Sequence, residues 1–160
     1  MIKVTILCVG KVKEKFFRDA IAEYQKRLTR YCKPIVTEVA DEKTPEDASE
    51  NQVKQIKDKE GERLLSHIKD DDYVIAMALD GAMLSSEELS RKMETEMLHG
   101  ASSVVFLIGG SLGLSDAALK RANAKVCFGK VTYPHQLMRV ILSEQIYRAF
   151  KIMKKEPYHK

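Results

Sequence analysis

The sequence predicts an α/β fold with a largely parallel sheet, and three observations carry that expectation. Five short apolar or β-branched runs alternate with five segments of helical periodicity, the order expected of strands joined by helical crossovers. Two of the runs, YVIAMAL (73–79) and SSVVFLI (102–108), are continuously apolar, as in strands covered on both faces. Glycines stand where runs end, at Gly10, Gly81 and Gly109-Gly110.

Taken in order, KVTILCVG (3–10) is a β-branched run that closes on glycine and reads as a strand. Between Lys13 and Tyr31, Phe17, Ala20, Ile21, Tyr24, Leu28 and Tyr31 recur at helical spacing, and Pro34 is expected to stop that helix. IVTEVA (35–40) alternates as a second strand, and the acidic DEKTPEDASEN reads as an exposed loop. Val53, Ile56, Glu60, Leu64 and Ile68 mark a one-faced helix; its Gly61 costs roughly 1 kcal/mol against alanine, which hints at close packing or a local break. YVIAMAL is expected to end in a turn at Asp80-Gly81. Ser85 and Glu88 have the spacing of a capping box, opening a helix through Leu89, Met93 and Met97 that Gly100 can close. After SSVVFLI, Ser115 can cap the short helix DAALKRA, and KVCF (125–128) is the last strand. One long helix then runs from Pro134 to about Met153, with proline well placed at its start. No internal repeat or linker interrupts the chain, so residues 1–160 are expected to form a single domain.

Composition narrows the function classes. The chain is 44% hydrophobic and 31% charged, the mix of a soluble globule, and no apolar run approaches the roughly 20 residues that span a bilayer. Its first residues lack the layout of a signal peptide. Cys8, Cys32 and Cys127 are odd in number and lack CxxC spacing, so neither a disulfide framework nor a zinc site is expected, and a reducing cytoplasm is. The net charge of +4 is unevenly spread, with residues 1–33 at +6, 130–160 at +5 and the middle at −7. If the two ends meet in space they form one basic surface suited to a polyanion. Lysines and arginines that merely solvate helix faces would give the same totals.

The stretch VVFLIGGSLGLS (104–115) raises the question of what its glycines hold. It lacks the GK[ST] of a phosphate loop, and the GxGxxG of a dinucleotide fold is absent from the end of the first strand. Gly109, Gly110 and Gly113 let the backbone bend tightly and approach a ligand, although a turn without a ligand would need them as well. Ligands of open α/β sheets bind beyond the carboxyl ends of the strands. Those ends are Met77–Gly81, Ile108–Gly113 and the FGKVTY run, Phe128–Tyr133. Three such loops can frame a pocket without a dense anionic or metal-binding cluster, which suits a neutral or cationic small molecule.

Taken together, LIGGSLGLS, FGKVTYPHQLMRVILSEQIYRAF and the terminal PYHK resemble the RlmH (YbeA-type) family of SPOUT methyltransferases. The resemblance extends to the opening strand ending in VGK and to the KEGERLL helix, and so covers essentially the whole chain. It implies an α/β-knot fold with a C-terminal trefoil knot, a homodimer, and S-adenosyl-L-methionine as cofactor with no metal. It further implies methylation of N3 of a pseudouridine in 23S rRNA within the assembled ribosome. Carried over by position, the cofactor contacts fall on Met77, Gly109, Phe128, Gly129, Lys130, Val131, Thr132 and Tyr133. Met77 stands where leucine is common in the family, a replacement that conserves volume. Gly129 stands where serine is familiar, so a contact there comes from the backbone. A SPOUT enzyme acting on another RNA position, and a non-catalytic knotted RNA-binding or assembly factor, are the competing functions.

The last helix is apolar on more than one side and must bury two faces, one on the core and one on a symmetric partner, or both within a monomer. Arg148 lies among its apolar residues, where it either pairs with Glu144 at i−4 or, as the resemblance implies, grips the substrate. His135, beside the cofactor loop, is expected to orient that loop by hydrogen bonding. A tail such as KKEPYHK is ordinarily disordered, whereas the resemblance folds it over an active site of its own or of a partner subunit. There Tyr158 would stack on a base, His159 would accept the N3 proton, and Arg148 would stabilise the imide anion.

Overall fold

The computed structural model describes residues 1–160. In chain order the elements are β1 (Lys3–Val9), α1 (Lys15–Leu28), β2 (Lys33–Val39), α2 (Glu50–Leu65), β3 (Tyr73–Met83), α3 (Ser86–Leu98), β4 (Ser103–Ile108), α4 (Asp116–Arg121), β5 (Ala124–Cys127) and α5 (His135–Met153). The strict βα alternation read from the sequence is present throughout. All strand pairs are parallel, in the order β2-β1-β4-β3-β5.

Strand alternation divides the core into two layers. Val4, Ile6 and Cys8 of β1, Val104, Phe106 and Ile108 of β4, and Ile75 of β3 face α1, α3 and α5. Leu142, Ile146, Ala149 and Phe150 come down from α5 to meet them. Leu7, Val9, Val74, Ala76, Val105 and Leu107 point the other way, onto Leu64 of α2 and Ala118 of α4. Every residue of β4 is buried, which explains its unbroken apolar run. Each such side chain stabilises the fold by roughly 2 kcal/mol over an exposed one.

Serine oxygens open three of the helices. Ser49 and Ser85 each form a complete capping box, with Gln52 and Glu88, and Ser115 Oγ accepts the Ala118 N–H. The close approach expected at Gly61 is present: a Cβ there would fall 2.1 Å from Ser115 Oγ.

Two sequence expectations need correction. Helix α1 ends at Leu28, three residues before the expected Tyr31 and six before Pro34. Pro34 instead lies inside β2, opposite Val4 on the sheet edge, where its missing N–H leaves no ladder bond unmade. Asp80-Gly81 does not end β3 either. The strand continues to Met83 through an irregularity at which Met77 and Ala82 both register with Val126. A Cβ on Gly81 would lie 2.6 Å from Val126 N, so glycine is what lets the bulged strand press against β5.

The two basic ends meet. Helices α1 and α5 pack together on one face, and Tyr31 Oη donates to Glu156 at 2.6 Å.

Candidate active site

The carboxyl ends of β3, β4 and β5 enclose a cavity of about 620 Å³. Its walls are the segment after Met77, the glycine loop 109–113, and the run from Cys127 to Tyr133, closed below by Met138 of α5. No Asp, Glu, Lys or Arg lines it, so it offers no counter-charge to a phosphate.

Met77, Gly109, Phe128, Gly129, Val131, Thr132 and Tyr133 all line this cavity, as the sequence suggested. Lys130 lies exposed and outside the wall. Gly110 and Gly113, left open at the sequence level, are also part of the lining. Leu79 and Leu112 fall within the strand ends given by the rule that ligands sit there, while Val126 and Met138 are lining residues outside them. Met138 was legible as one turn into a helix that starts beside the loop.

The glycines do separate work. A Cβ on Gly109 would fall 2.6 Å from Gly113 C and 2.9 Å from Leu114 N, so residue 109 must be glycine for the loop to fold back on itself. That fold is held by Gly113 N–H donating to Gly110 O at 3.1 Å. Gly113 (φ +91°) and Gly129 (φ +116°) take backbone conformations that L side chains rarely adopt. Opposite them, Cys127 Sγ donates to Gly129 O at 2.8 Å and fixes the start of the third wall.

His135 departs from expectation. Its ring lines the cavity, yet buried Nδ1 makes no hydrogen bond, so it does not tie down the loop. Burial, reinforced by the Arg139 charge, lowers its pKa and keeps the ring neutral. The fully buried arginine of α5 is Arg139, not Arg148. Its guanidinium donates to Glu38 at 2.8 Å, Val9 O at 2.7 Å and Gly10 O at 2.9 Å.

Arg148, Tyr158 and His159 come together, but outside the cavity. Arg148 pairs with Glu144 at 2.7 Å and stacks its guanidinium 4.8 Å from the Tyr158 ring centre. Tyr158 Oη donates to Glu144, and the ring meets Tyr147 edge-on at 4.9 Å. Burial, then the Glu144 carboxylate, pushes the Tyr158 phenol up to about 12, so it stays protonated near neutrality. Arg148 Nη1 lies 3.0 Å from His159 Nδ1, while His159 Nε2 contacts Glu87 at the start of α3. A guanidinium only donates, so Nδ1 accepts and Nε2 carries the proton given to Glu87. Docked this way, His159 has no free lone pair. The tail is thus ordered on α3 and α5 of its own chain, as an ordinary terminus would not be.

A family model described as "Predicted SPOUT methyltransferase" matches residues 2–159. The chain belongs to the SPOUT methyltransferase family. Among its relatives, the ribosomal RNA large subunit methyltransferase H of Bifidobacterium adolescentis is 61% identical over 158 residues, 99% of each chain. Proteins of the same name from Clostridium acetobutylicum and Listeria monocytogenes are 58% and 55% identical, each covering 98% of this chain and 99% of the relative. The chain is therefore a member of the RlmH branch of SPOUT methyltransferases. In fold it resembles a probable methylase family protein from Haemophilus influenzae, with a TM-score of 0.53 at 12% identity, over 98% of this chain and 70% of that one.

SPOUT methyltransferases use S-adenosylmethionine, and the cavity of this one suits it. Apolar side chains such as Met77, Leu79 and Phe128 can sandwich an adenine, and the glycine-rich loops offer backbone donors and acceptors to its edge. With no lysine or arginine in the lining, no fixed positive charge repels the sulfonium.

Proposed function

We propose that this chain transfers a methyl group from S-adenosylmethionine to N3 of a pseudouridine in large-subunit ribosomal RNA of the assembled ribosome. The observation that carries the reading is the uncharged three-loop cavity at the strand ends, in a chain 55–61% identical to large-subunit rRNA methyltransferases along its whole length. Residues 1–160 act as one domain. Met77, Gly109, Phe128, Gly129, Val131, Thr132 and Tyr133 hold the cofactor, with Lys130 contributing through its backbone at most. When bound, S-adenosylmethionine supplies an electrophilic methyl with a neutral thioether as leaving group.

The residues around it position the base and handle the N3 proton. On engaging the substrate the tail exchanges its contacts with Arg148 and Glu87 for the base; that frees a ring nitrogen of His159 to accept the N3 proton and turns the Arg148 fork toward the carbonyl oxygens of the imide. Tyr158, held protonated, stacks on the base and donates rather than accepts. All three lie outside the cavity of their own chain, which favours a homodimer in which each tail serves the partner's cofactor. Exposed Leu79 (72%) and Val131 (61%) rim the cavity and, with exposed Met83 (59%) at the end of β3, give a partner an apolar surface to cover. The α/β-knot belongs to the same reading: the segment 128–134 and α5 pass through the loop that follows β4, which accounts for a cofactor wall made from the end of the chain. A ribosomal substrate places this work in the cytoplasm.

The test is radiolabelled methyl transfer to ribosomes from a strain lacking the protein, compared with free subunits, followed by mapping of the modified nucleotide. Label at N3 of a large-subunit pseudouridine, on whole ribosomes, is the expected result. Label at a ribose oxygen or on tRNA would replace the reading, and no binding of S-adenosylmethionine by calorimetry would end it.

A further inference from the structure

Beside the cofactor cavity lies a second one, of about 340 Å³, at the carboxyl ends of β1 and β2. It is a different chemical environment. Lys11 and Lys13 follow the VG that ends β1, Asp41 follows β2, and Gln136 opens α5. The two lysines and Asp41 are exposed and make no ion pair. Gln136 Oε1 accepts the Lys13 N–H at 3.2 Å, which leaves its amide NH₂ free to donate.

The floor is built rather than incidental. Gly10 (φ +88°) lies there with its would-be Cβ 3.7 Å from His135, 3.9 Å from Arg139 and 3.9 Å from Asp41. Arg139, wholly buried, binds the carbonyls of Val9 and Gly10 and the Glu38 carboxylate, yet its Nε has no partner. His135 Nδ1 is buried and unpaired as well. His135 lines both cavities, so one imidazole is the partition between them.

We propose that this second cavity receives the nucleotide adjacent to the methylated one, as an unpaired base with its phosphate. The inference rests on the RNA methyltransferase reading above. Two free lysines at the mouth suit a phosphate, and the Asp41 carboxylate with the Gln136 amide presents an acceptor and a donor to a base edge. The volume admits one nucleotide and no duplex. A shared wall one imidazole thick sets this cavity directly beside the cofactor, where the strand that presents the methylated base has to pass.

The experiment titrates adenosine, guanosine, cytidine and uridine 5′-monophosphates at millimolar concentration into the full ¹⁵N-labelled protein saturated with S-adenosylmethionine. Expected are shifts of the Gly10 and Lys11 amides and the Gln136 side-chain amide, with at least one base preferred. Asp41→Asn and the pair Lys11→Ala, Lys13→Ala should each weaken that response about tenfold, as loss of a charge-assisted contact does. On ribosomes the same variants should raise KM about tenfold with kcat and cofactor affinity unchanged. Circular dichroism checks that these surface variants stay folded. Shifts confined to the cofactor cavity, or none, would overturn the proposal; so would inorganic phosphate reproducing every shift, which would leave an anion site with no base. Wild-type protein that failed to methylate ribosomes would defeat the functional reading, while the titration would still decide what the cavity binds.

Discussion

The Cβ that Gly61 lacks would sit 2.1 Å from Ser115 Oγ and 2.9 Å from Ser115 Cβ, so α2 meets the N-terminus of α4 without an intervening side chain. Gly61→Ala adds helix propensity worth about 1 kcal/mol but forces apart two packed helices, at about 1–3 kcal/mol. A net loss is expected, read as a lower urea midpoint. Adding Ser115→Ala should recover part of the loss, even though that change alone removes a cap.

Gly109→Ala strikes backbone rather than side chain, with Gly113 C at 2.6 Å and Leu114 N at 2.9 Å. The glycine loop has to shift, and it is the middle wall of the cofactor cavity. S-adenosylmethionine affinity should fall at least about tenfold by calorimetry, or 1.4 kcal/mol, with far-UV circular dichroism unchanged.

Glu60 gives a pH signature. It is 4% exposed, its Oε2 accepts the Glu42 N–H and its Oε1 is unpaired. Burial first, then the Asp41 and Glu42 charges, raises its pKa above the ordinary 4.5, against the Glu42 N–H and Arg63. Between those two values the folded chain holds a proton that the unfolded chain has shed, so stability from this group is lost as pH rises through the interval. Glu60→Gln carries no charge and should gain on wild type with rising pH. The difference in Tm, variant minus wild type, is expected to be more positive above neutrality than at pH 4.

Arg139→Ala leaves Glu38 without its partner and two carbonyls without donors. A loss of about 3 kcal/mol is expected, the scale of breaking a buried pair, read by denaturant unfolding. Arg139→Lys should recover little, since one ammonium cannot span three acceptors on the guanidinium's fork.

His159→Ala tests the tail. Turnover on ribosomes should fall about a hundredfold or more, the scale of a lost general base, with S-adenosylmethionine affinity intact because the residue lies outside the cavity. Full turnover in this variant would remove His159 as proton acceptor.

Much of the architecture was readable because its signals are local. Apolar runs mark every strand, Ser85 and Ser115 mark their helices, and the strand-end rule gathers Met77, Gly109 and the 128–133 run from residue order alone. What stayed hidden depends on partners distant in the chain. Arg139 and Glu38 are 101 residues apart, so nothing local marks the arginine that is fully buried, whereas Arg148 has its carboxylate at i−4. Asp80-Gly81 has the local chemistry of a turn, and only the pressure of Val126 across the sheet makes it a bulge. Pro34 has the chemistry of a helix stop, and only its place on an edge makes it a strand residue.

The seating of α5 has a consequence for how the molecule is made. Its Leu142, Ile146, Ala149 and Phe150 complete the layer that β1 begins, and Glu156 ties back to Tyr31 across 125 positions. Until α5 is seated, Ile6, Cys8 and Phe106 lack their cover, so the interior cannot close on local contacts alone. A chain in which α5 is not yet seated therefore presents that apolar face to chaperones.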